Sequence, residues 1–555
     1  MTACTNGSNT KVLVIGLDGA SPLIISQLIA DGKLPMFGEI AENGVSGTLM
    51  SVFPPVSPTA WASFMTGVNP GKHGILDFEI RLTSDYKRYI VNAKYIRCDT
   101  IWSILSRRNK KVGVIHVPLT YPPPKVRGFA VAGYALSPGP ATYPSNLLSE
   151  IDKAVPGYIN AYSRVYRYIP GREVEYVTSL LFVTDLEKKV ALYLMRNYEW
   201  DVLTTVFFFL DQIQHYMWRF YDPTHPLYDE SAPSFLKNAI PNFYKKLDTI
   251  IRELINNITD DAIIFIISDH GFGPLYKDVY INHWLMKLGL LKLKRSKVLM
   301  RKLLSILSRE RLTTLFYKLR LSHPVLMNIP RHFIKSIFGR LPRARITLSD
   351  IDFKKTRAYS TGYVGQIFLN VKGRDKEGII SPGDEYERLR DYIIQKLKEL
   401  RNPEDGRPLV DEIFKKEDIY HGPHASYAAD ILFVMREMSY ITHGAWTRGE
   451  ALEFGPSFDA LIGPPPTLES GWHRMEGVFM AYGPYIRKLT NIQAQIIDLA
   501  PTILHIMNTA IPSYMDGKVL KEIFKPTSPF ARRRVKFSSY FKTIKKIRRA
   551  RTRGA

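Results

Sequence analysis

Cysteine is nearly missing from this chain: 555 residues contain two, Cys4 and Cys98. Two thiols cannot build a disulfide framework, and their scarcity points to a reducing compartment. An apolar leader is missing as well. Met1 to Thr10 is small and polar, so no signal peptide is expected, and the expected location is the cytoplasm. No run reaches the roughly 18 apolar residues of a membrane span; Thr204 to Leu210 is apolar but far too short. Acids are missing from two stretches. Met286 to Ile346 has 16 Lys/Arg against one acid, Glu310, and Ala531 to Ala555 has 11 Lys/Arg and none. These stretches carry +15 and +11 of a net charge of +24, which leaves −2 on all the rest. A near-neutral body with two basic appendages is therefore expected. The first of these stretches shows no aromatic interleaving of the RNA-motif kind, which argues against nucleic acid. A solvated face, an anionic membrane surface or an acidic substrate remains for them. No internal repeat is present.

What is present is 45 % apolar content, enough for a large core and more than one structural unit. Ala262 to Ile267 is a continuous apolar run of strand length, which reads as a strand buried on both faces. It ends in Ser268-Asp269-His270-Gly271-Phe272-Gly273. Open α/β sheets place their chemistry at the carboxyl ends of strands, so Asp269 and His270 are candidate metal ligands; the plainer alternative is a helix cap beside a surface histidine. Lys11 to Leu17 is a second such strand and ends in Asp18-Gly19, with Asp18 a ligand or a cap or turn residue. Val202 to Leu210 is a third. After it come Asp211 and His215, four residues apart and so on one face of the helix expected there, within reach of one ion. His473 falls in the loop expected before a strand at Val478 to Ala481.

Ser57-Pro58 precedes a helix expected over Thr59 to Met65 and closed by Gly67, with Pro58 in its first turn and Ser57 as N-cap. A hydroxyl there lies in a positive field, as would a phosphate that it attacks, and a metal ion would complete its activation. Capping alone is the alternative. The loop Asn69-Pro70-Gly71-Lys72-His73-Gly74 offers Asn69 and Lys72 as groups that could face a ligand. Further elements are expected as a strand at Val112 to His116, helices at Pro170 to Arg196 and Lys245 to Ile258, a strand at Tyr363 to Val371, a helix at Pro382 to Leu400, a strand at Ala429 to Met435 and a helix at Asp498 to Met507. His116 is expected to be packed or hydrogen-bonded, without a catalytic role. The candidate donors are nitrogen and oxygen with no cysteine, a set that suits Zn²⁺ or Mn²⁺. Two such ions a few ångströms apart would clamp the attacking and leaving oxygens of a phosphoryl transfer.

Asp18-Gly19, Ser57 nine residues before Thr66-Gly67, Asp211-x-x-x-His215, Asp269-His270-Gly271 and Gly471-x-His473 together resemble the alkaline phosphatase superfamily, and within it the type I phosphodiesterase/nucleotide pyrophosphatase group. Trp61-Ala62-Ser63-Phe64-Met65-Thr66-Gly67-Val68-Asn69-Pro70-Gly71-Lys72-His73-Gly74 and Asp498-Leu499-Ala500-Pro501-Thr502 resemble its branch of predicted phosphohydrolases and phosphomutases. The resemblance implies an α/β fold: a three-layer sandwich around a mostly parallel sheet. Its first core part would be 11–285, an inserted basic helical cap 286–346, a second core part 347–525 and a basic, unpacked tail 526–555. It implies Asp18, Ser57, Asp269 and His270 as ligands of one ion, and Asp211, His215 and His473 as ligands of the other. Ser57 would be the nucleophile, transiently phosphorylated. Thr59 is the alternative, since nucleotide pyrophosphatases use threonine, but their nine-residue spacing to Thr-Gly falls on Ser57. The asparagine that closely follows the nucleophile in those enzymes is replaced here by the region of Ala60 and Trp61. The expected activity is hydrolysis of a phosphate monoester or diester. Alternatives are an intramolecular transfer of the cofactor-independent phosphoglycerate mutase type, and action on lipid-linked or anionic head groups by a protein docked at a membrane surface.

Overall fold

The structure is a computed structural model, and it describes residues 10–81, 84–133, 139–163, 168–258, 261–294, 346–442, 451–452, 462–463 and 469–538. Most of the expected basic cap (295–345) and the end of the tail (539–555) lie outside the described residues.

A nine-stranded sheet organises the chain. Its order is Leu489–Gln495, Val45–Met50, Glu476–Tyr482, Ala262–Ile267, Lys11–Leu17, Val202–Phe207, Val112–Ile115, Gly128–Val131, Thr142–Tyr143. Lys11–Leu17 runs parallel to both of its neighbours, and Val112–Ile115 runs parallel to Val202–Phe207 and to Gly128–Val131. Glu476–Tyr482 is antiparallel to Ala262–Ile267 and to Val45–Met50. The apolar runs are buried on both faces, as their lack of alternation requires. Successive side chains of Lys11–Leu17 enter opposite cores, because strand side chains alternate in direction. Leu13, Ile15 and Leu17 pack with helices Pro22–Ala30, Pro35–Asn43, Glu173–Asn197, Phe209–Tyr221 and Ala239–Asn256. Val12 and Val14 pack with helices Ser57–Thr66, Ile101–Arg107 and Leu499–Ile506. The result is a three-layer α/β sandwich.

Residues 346–442 form a smaller unit around a separate core, to which Phe53, Val56, Tyr86 and the segment 279–293 also contribute. Strands Ala358–Ser360, Gln366–Leu369, Ile431–Met435 and Val410–Lys415 make an antiparallel sheet, backed by helix Asp384–Lys398. Tyr420 of this unit donates its hydroxyl to Phe53 O at 2.9 Å and so braces the loop that leads to Ser57.

Three local readings differ from expectation. Helix Ser57–Thr66 starts at Ser57 itself, with Val56 in the capping position. His473 lies within strand Gly471–Arg474, paired with Phe272 across an antiparallel ribbon, and not in a loop. Residues 526–538 are anchored to the body at a few points, where their charge suggested an unpacked tail. Phe530 is fully buried. Arg533 donates to the carbonyls of His505 and Ile506 at 2.9 and 3.0 Å, closing the C-terminus of helix Leu499–Ile506. Phe537 pairs with Ile511 in a short parallel bridge. Among the described residues, no helix is long and apolar enough to cross a membrane.

Candidate active site

Five chain segments meet at the carboxyl edge of the sheet. Asp18 follows the central strand and is fully buried. Its Oδ2 accepts from Trp61 Nε1 at 2.8 Å. The indole reaches that far because residue 16 is glycine: a Cβ there would lie 2.5 Å from the Trp61 ring. Asp18 Oδ1 accepts from Ser57 Oγ at 3.2 Å, and Ser57 Oγ lies 3.4 Å from His270 Nε2. The helix beginning at Ser57 has no side-chain cap bond, so the hydroxyl is turned to these two groups. Thr59 is fully buried and its Oγ1 has no hydrogen-bond partner among the described residues. Asp269 Oδ1 accepts from Gly19 N at 3.1 Å, while its Oδ2, 3.3 Å from His270 Nε2, has no hydrogen-bond partner among the described residues. Gly19 sits at φ +70°, a conformation that favours glycine.

The second group stands beside the first. Asp211 and His215 share a face of helix Phe209–Tyr221, with His215 Nε2 3.4 Å from Asp211 Oδ1. His473 Nε2 is 3.2 Å from the same oxygen and 3.2 Å from His215 Nε2. Asp18, Asp269 and His270 bring ligand atoms within 4.8 Å of one another, as do Asp211, His270 and His473, so His270 belongs to both clusters.

The imidazole tautomers follow from the outer contacts. His215 Nδ1 faces Gly471 O at 2.9 Å, His270 Nδ1 faces Gly271 O at 3.1 Å and His473 Nδ1 faces Pro55 O at 2.8 Å. A carbonyl only accepts, so each Nδ1 donates, and in the neutral ring each Nε2 turns its lone pair inward. With the rings neutral, two imidazole lone pairs and a carboxylate oxygen converge, which is repulsive unless a cation or a proton joins them. The pKa pattern agrees. Burial, then Asp269 and Asp211, push Asp18 well above the usual carboxylate range. Burial pushes Asp269 up as well, against the Gly19 amide and with Asp211. Burial alone would lower His215, but Asp211 more than reverses it and holds the ring at about 9, so that without a cation a proton takes its place. The donor set therefore fits two divalent ions.

All seven expected ligand residues are brought together here. Asn69 and Lys72, read as groups that could face a ligand, have other partners. Asn69 caps Gly71 N at 2.9 Å and donates to Ile419 O at 2.9 Å. Lys72 donates to Tyr514 O at 2.9 Å and pairs with Asp516. They tie the Asn69–Gly74 loop to the smaller unit and to the 514–516 turn. His116, buried, is hydrogen-bonded to Tyr158 at 2.7 Å. Sequence reading overlooked Trp61 as a partner of Asp18, although Ser57 and Trp61 lie four residues apart on one helix face, the spacing that places two side chains together.

The family model described as type I phosphodiesterase / nucleotide pyrophosphatase matches residues 12–456. The chain belongs to this family. It is accordingly a metal-dependent phosphoesterase. No curated protein matches it by sequence. Among solved structures, it is similar to mouse ectonucleotide pyrophosphatase/phosphodiesterase 5 at 14 % identity and a TM-score of 0.48, over 93 % of this chain and 100 % of that one. The human ectonucleotide pyrophosphatase/phosphodiesterase 5 is similar at 14 % identity and a TM-score of 0.47, over 92 % and 97 % of the two chains. Phosphonoacetate hydrolase from Sinorhizobium meliloti 1021, in complex with phosphonoformate, is similar at 17 % identity and a TM-score of 0.49, over 89 % and 95 %.

Proposed function

We propose that this family member is a two-ion phosphohydrolase working through a phosphorylated Ser57. The observation that carries the reading is the Ser57 hydroxyl, 3.2 Å from Asp18 Oδ1 and 3.4 Å from His270 Nε2 at the start of a helix. Asp18, Ser57, Asp269 and His270 would hold one ion and Asp211, His215 and His473 the other, of zinc or manganese type. When bound, the pair supplies Lewis-acid stabilisation of the charge on the attacking and leaving oxygens.

The chain's own groups do the rest. Ser57 Oγ–H donates toward Asp18 Oδ1, so the proton has an acceptor as Oγ attacks phosphorus. The ester P–O bond breaks and the leaving oxygen takes up the proton that Ser57 gave to Asp18, so an alcohol departs. Water then attacks the phosphoserine and passes a proton to Asp18, the Oγ–P bond breaks, and Oγ regains that proton as phosphate is released. The first-turn amides of helix Ser57–Thr66 have no intrahelical acceptor and are left to bind phosphoryl oxygens. Pro58 removes a donor that the turn would not have used internally. Trp61 and Gly19 hold Asp18 and Asp269 in place by one hydrogen bond each.

The test is a panel of aryl phosphate, bis-aryl phosphate and sugar phosphates with metal analysis of the purified protein. Chelator-sensitive turnover supports the reading; a folded sample that turns over nothing with added Zn²⁺ or Mn²⁺ overturns it. Including 3-phosphoglycerate separates hydrolysis from intramolecular transfer, which the same serine and ions could perform. The charge of +11 on Ala531 to Ala555 favours a second reading, a cytoplasmic enzyme held at an anionic membrane and acting on head groups there. Each Lys/Arg near such a surface contributes about 1 kcal/mol. Flotation with anionic liposomes, with and without residues 539–555, tests it; equal, salt-insensitive behaviour of the two chains overturns it.

A further inference from the structure

The Gly19 backbone joins Asp269 of the first ion group to the helix that carries Asp211 and His215 of the second. Its amide donates to Asp269 Oδ1 at 3.1 Å, and its carbonyl accepts from Gln214 Nε2 at 2.8 Å. Gln214 is fully buried on helix Phe209–Tyr221, between Asp211 and His215. Its Oε1 accepts from the Tyr244 hydroxyl at 3.0 Å, and that hydroxyl accepts in turn from Ser21 N at 2.8 Å. The Gln214 backbone is engaged too. A Cβ on Gly471 would lie 2.4 Å from Gln214 O, so the strand carrying His473 packs tightly against it. One residue therefore contacts the loop after Asp18, lies between two ligands of the second group, and abuts the strand of the third.

We infer that Gln214 is a positioning residue that fixes the separation of the two ion groups, with Gly19 as the bridge and Tyr244 as the buttress. The inference rests on the two-ion reading above. Its chemistry is specific to a primary amide. At this length of side chain the amide donates to the Gly19 carbonyl and accepts from the Tyr244 hydroxyl at once, whereas an ionised glutamate cannot donate and methionine offers neither strong donor nor strong acceptor. Fully buried, the relay does not compete with water, and its hydrogen bonds strengthen one another. The bridge itself admits no side chain, because Gly19 is at φ +70° and a Cβ there would lie 3.0 Å from the Phe272 ring and 3.4 Å from Asp211 Cα. Two-ion phosphoryl transfer works at an ion separation of about 3.5–4 Å, and a shift of about 1 Å in a positioned group can cost about 10²-fold in rate.

The experiment titrates the full-length wild type, Gln214→Met and Tyr244→Phe with Mn²⁺ by calorimetry, and reads exchange coupling in the loaded samples by electron paramagnetic resonance. The expected result is two equivalents and a coupled spectrum for the wild type. In Gln214→Met the second equivalent binds about 10–100-fold more weakly, the coupling changes, and kcat falls with little change in KM. Tyr244→Phe, which removes one hydroxyl and fills the same space, shifts the same readouts in the same direction and guards against misfolding of the first variant. A purely structural role would lower the melting temperature and leave both binding constants and the coupling at wild-type values, and that outcome overturns the inference. If the wild type itself fails to take up two equivalents, the two-ion reading fails and the inference falls with it.

Discussion

His270 stacks on His473, with ring centroids 3.8 Å apart and planes 20° from parallel. One ring lies just beyond the Ala262–Ile267 strand and the other sits in the Gly471–Arg474 ribbon, so the stack is where the two ion groups meet. A substitution at His270 thus disturbs both clusters, whereas one at His215 removes a ligand from one. His215→Ala is expected to keep one ion and His270→Ala to weaken both, as read by metal content after dialysis. An ion that stabilises transition-state charge is worth several kcal/mol, so either change should cost about 10²-fold or more in kcat/KM. Equal metal content and activity in His270→Ala and the wild type would contradict the assignment.

Ser57 and Thr59 separate cleanly on their surroundings. The Ser57 hydroxyl is held by Asp18 and His270, while Thr59 Oγ1 is buried with no hydrogen-bond partner among the described residues. Ser57→Ala should abolish formation of a phosphoenzyme. Thr59→Val swaps an unpartnered buried hydroxyl for a methyl group of similar shape, and leaving such a hydroxyl unsatisfied costs about 1–3 kcal/mol. Thr59→Val should therefore keep turnover and hold or raise the melting temperature. If Thr59→Val loses turnover and Ser57→Ala retains it, the nucleophile is Thr59.

The strand ends that carry Asp18, Asp211 and Asp269 were legible because each follows an apolar run too continuous for a half-exposed strand, and the sheet does bury both faces of those runs. His473 was harder to place. Gly-Trp-His-Arg has no alternation of its own, and its strand character comes from pairing with Gly271 to Pro274, some 200 residues away in sequence. Asn69 and Lys72 looked ligand-facing for the same reason. Their partners, Ile419 and Asp516, lie hundreds of residues along the chain, and local pattern carries no trace of them. Phe530 was masked by its neighbours' charge: the arginines around it made 526–538 read as unpacked, yet Arg533 is spent on helix carbonyls and the phenyl ring on the core.

Stability should fall in acid through a histidine away from the ion groups. His73 is fully buried; its Nδ1 accepts from Ile75 N at 3.1 Å, so Nε2 carries the proton toward Ser63 Oγ at 2.9 Å. Protonating Nδ1 would break the first bond. Burial, with a smaller contribution from His424, lowers this ring from 6.5 to about 3. Between those values the unfolded chain binds a proton that the folded chain does not, so stability rises with pH there and is lost as pH falls. The slope from this one group is about 1.4 kcal/mol per pH unit. Urea titrations from pH 6.5 to pH 4 should show it, and His73→Gln should flatten the profile by that amount. An unchanged profile in the variant would show that His73 carries a proton in the folded protein.

Removing the ions should destabilise the fold, because Asp18 and Asp269 are buried carboxyls under pressure from burial and from neighbouring acids. A cation that binds only the folded chain stabilises it by mass action, by about 2.7 kcal/mol when present at 100 times its dissociation constant. Calorimetric melting with a chelator, then with Mn²⁺ or Zn²⁺ restored, should give a reversible rise in melting temperature. The rise should persist in Ser57→Ala, which keeps six of the seven proposed ligands, and shrink in Asp18→Asn.

Trp61 gives the most selective probe of how Asp18 is held. Its indole is fully buried and donates to Asp18 Oδ2 at 2.8 Å, while its ring fills the space that Gly16 leaves open. Trp61→Phe removes the N–H and keeps most of the ring, so the loss should appear at the ion site more than in packing. A hydrogen-bond partner of a ligand typically contributes 10–100-fold to metal affinity or activity, and a loss of about that size is expected, relieved by raising the metal concentration. Trp61→Leu removes the ring as well and should in addition lower the melting temperature by opening a cavity, since truncating large buried side chains costs about 3–5 kcal/mol at the extreme of Trp→Ala. If Trp61→Phe loses stability as much as Trp61→Leu does and binds metal normally, the indole serves the core and not the carboxylate.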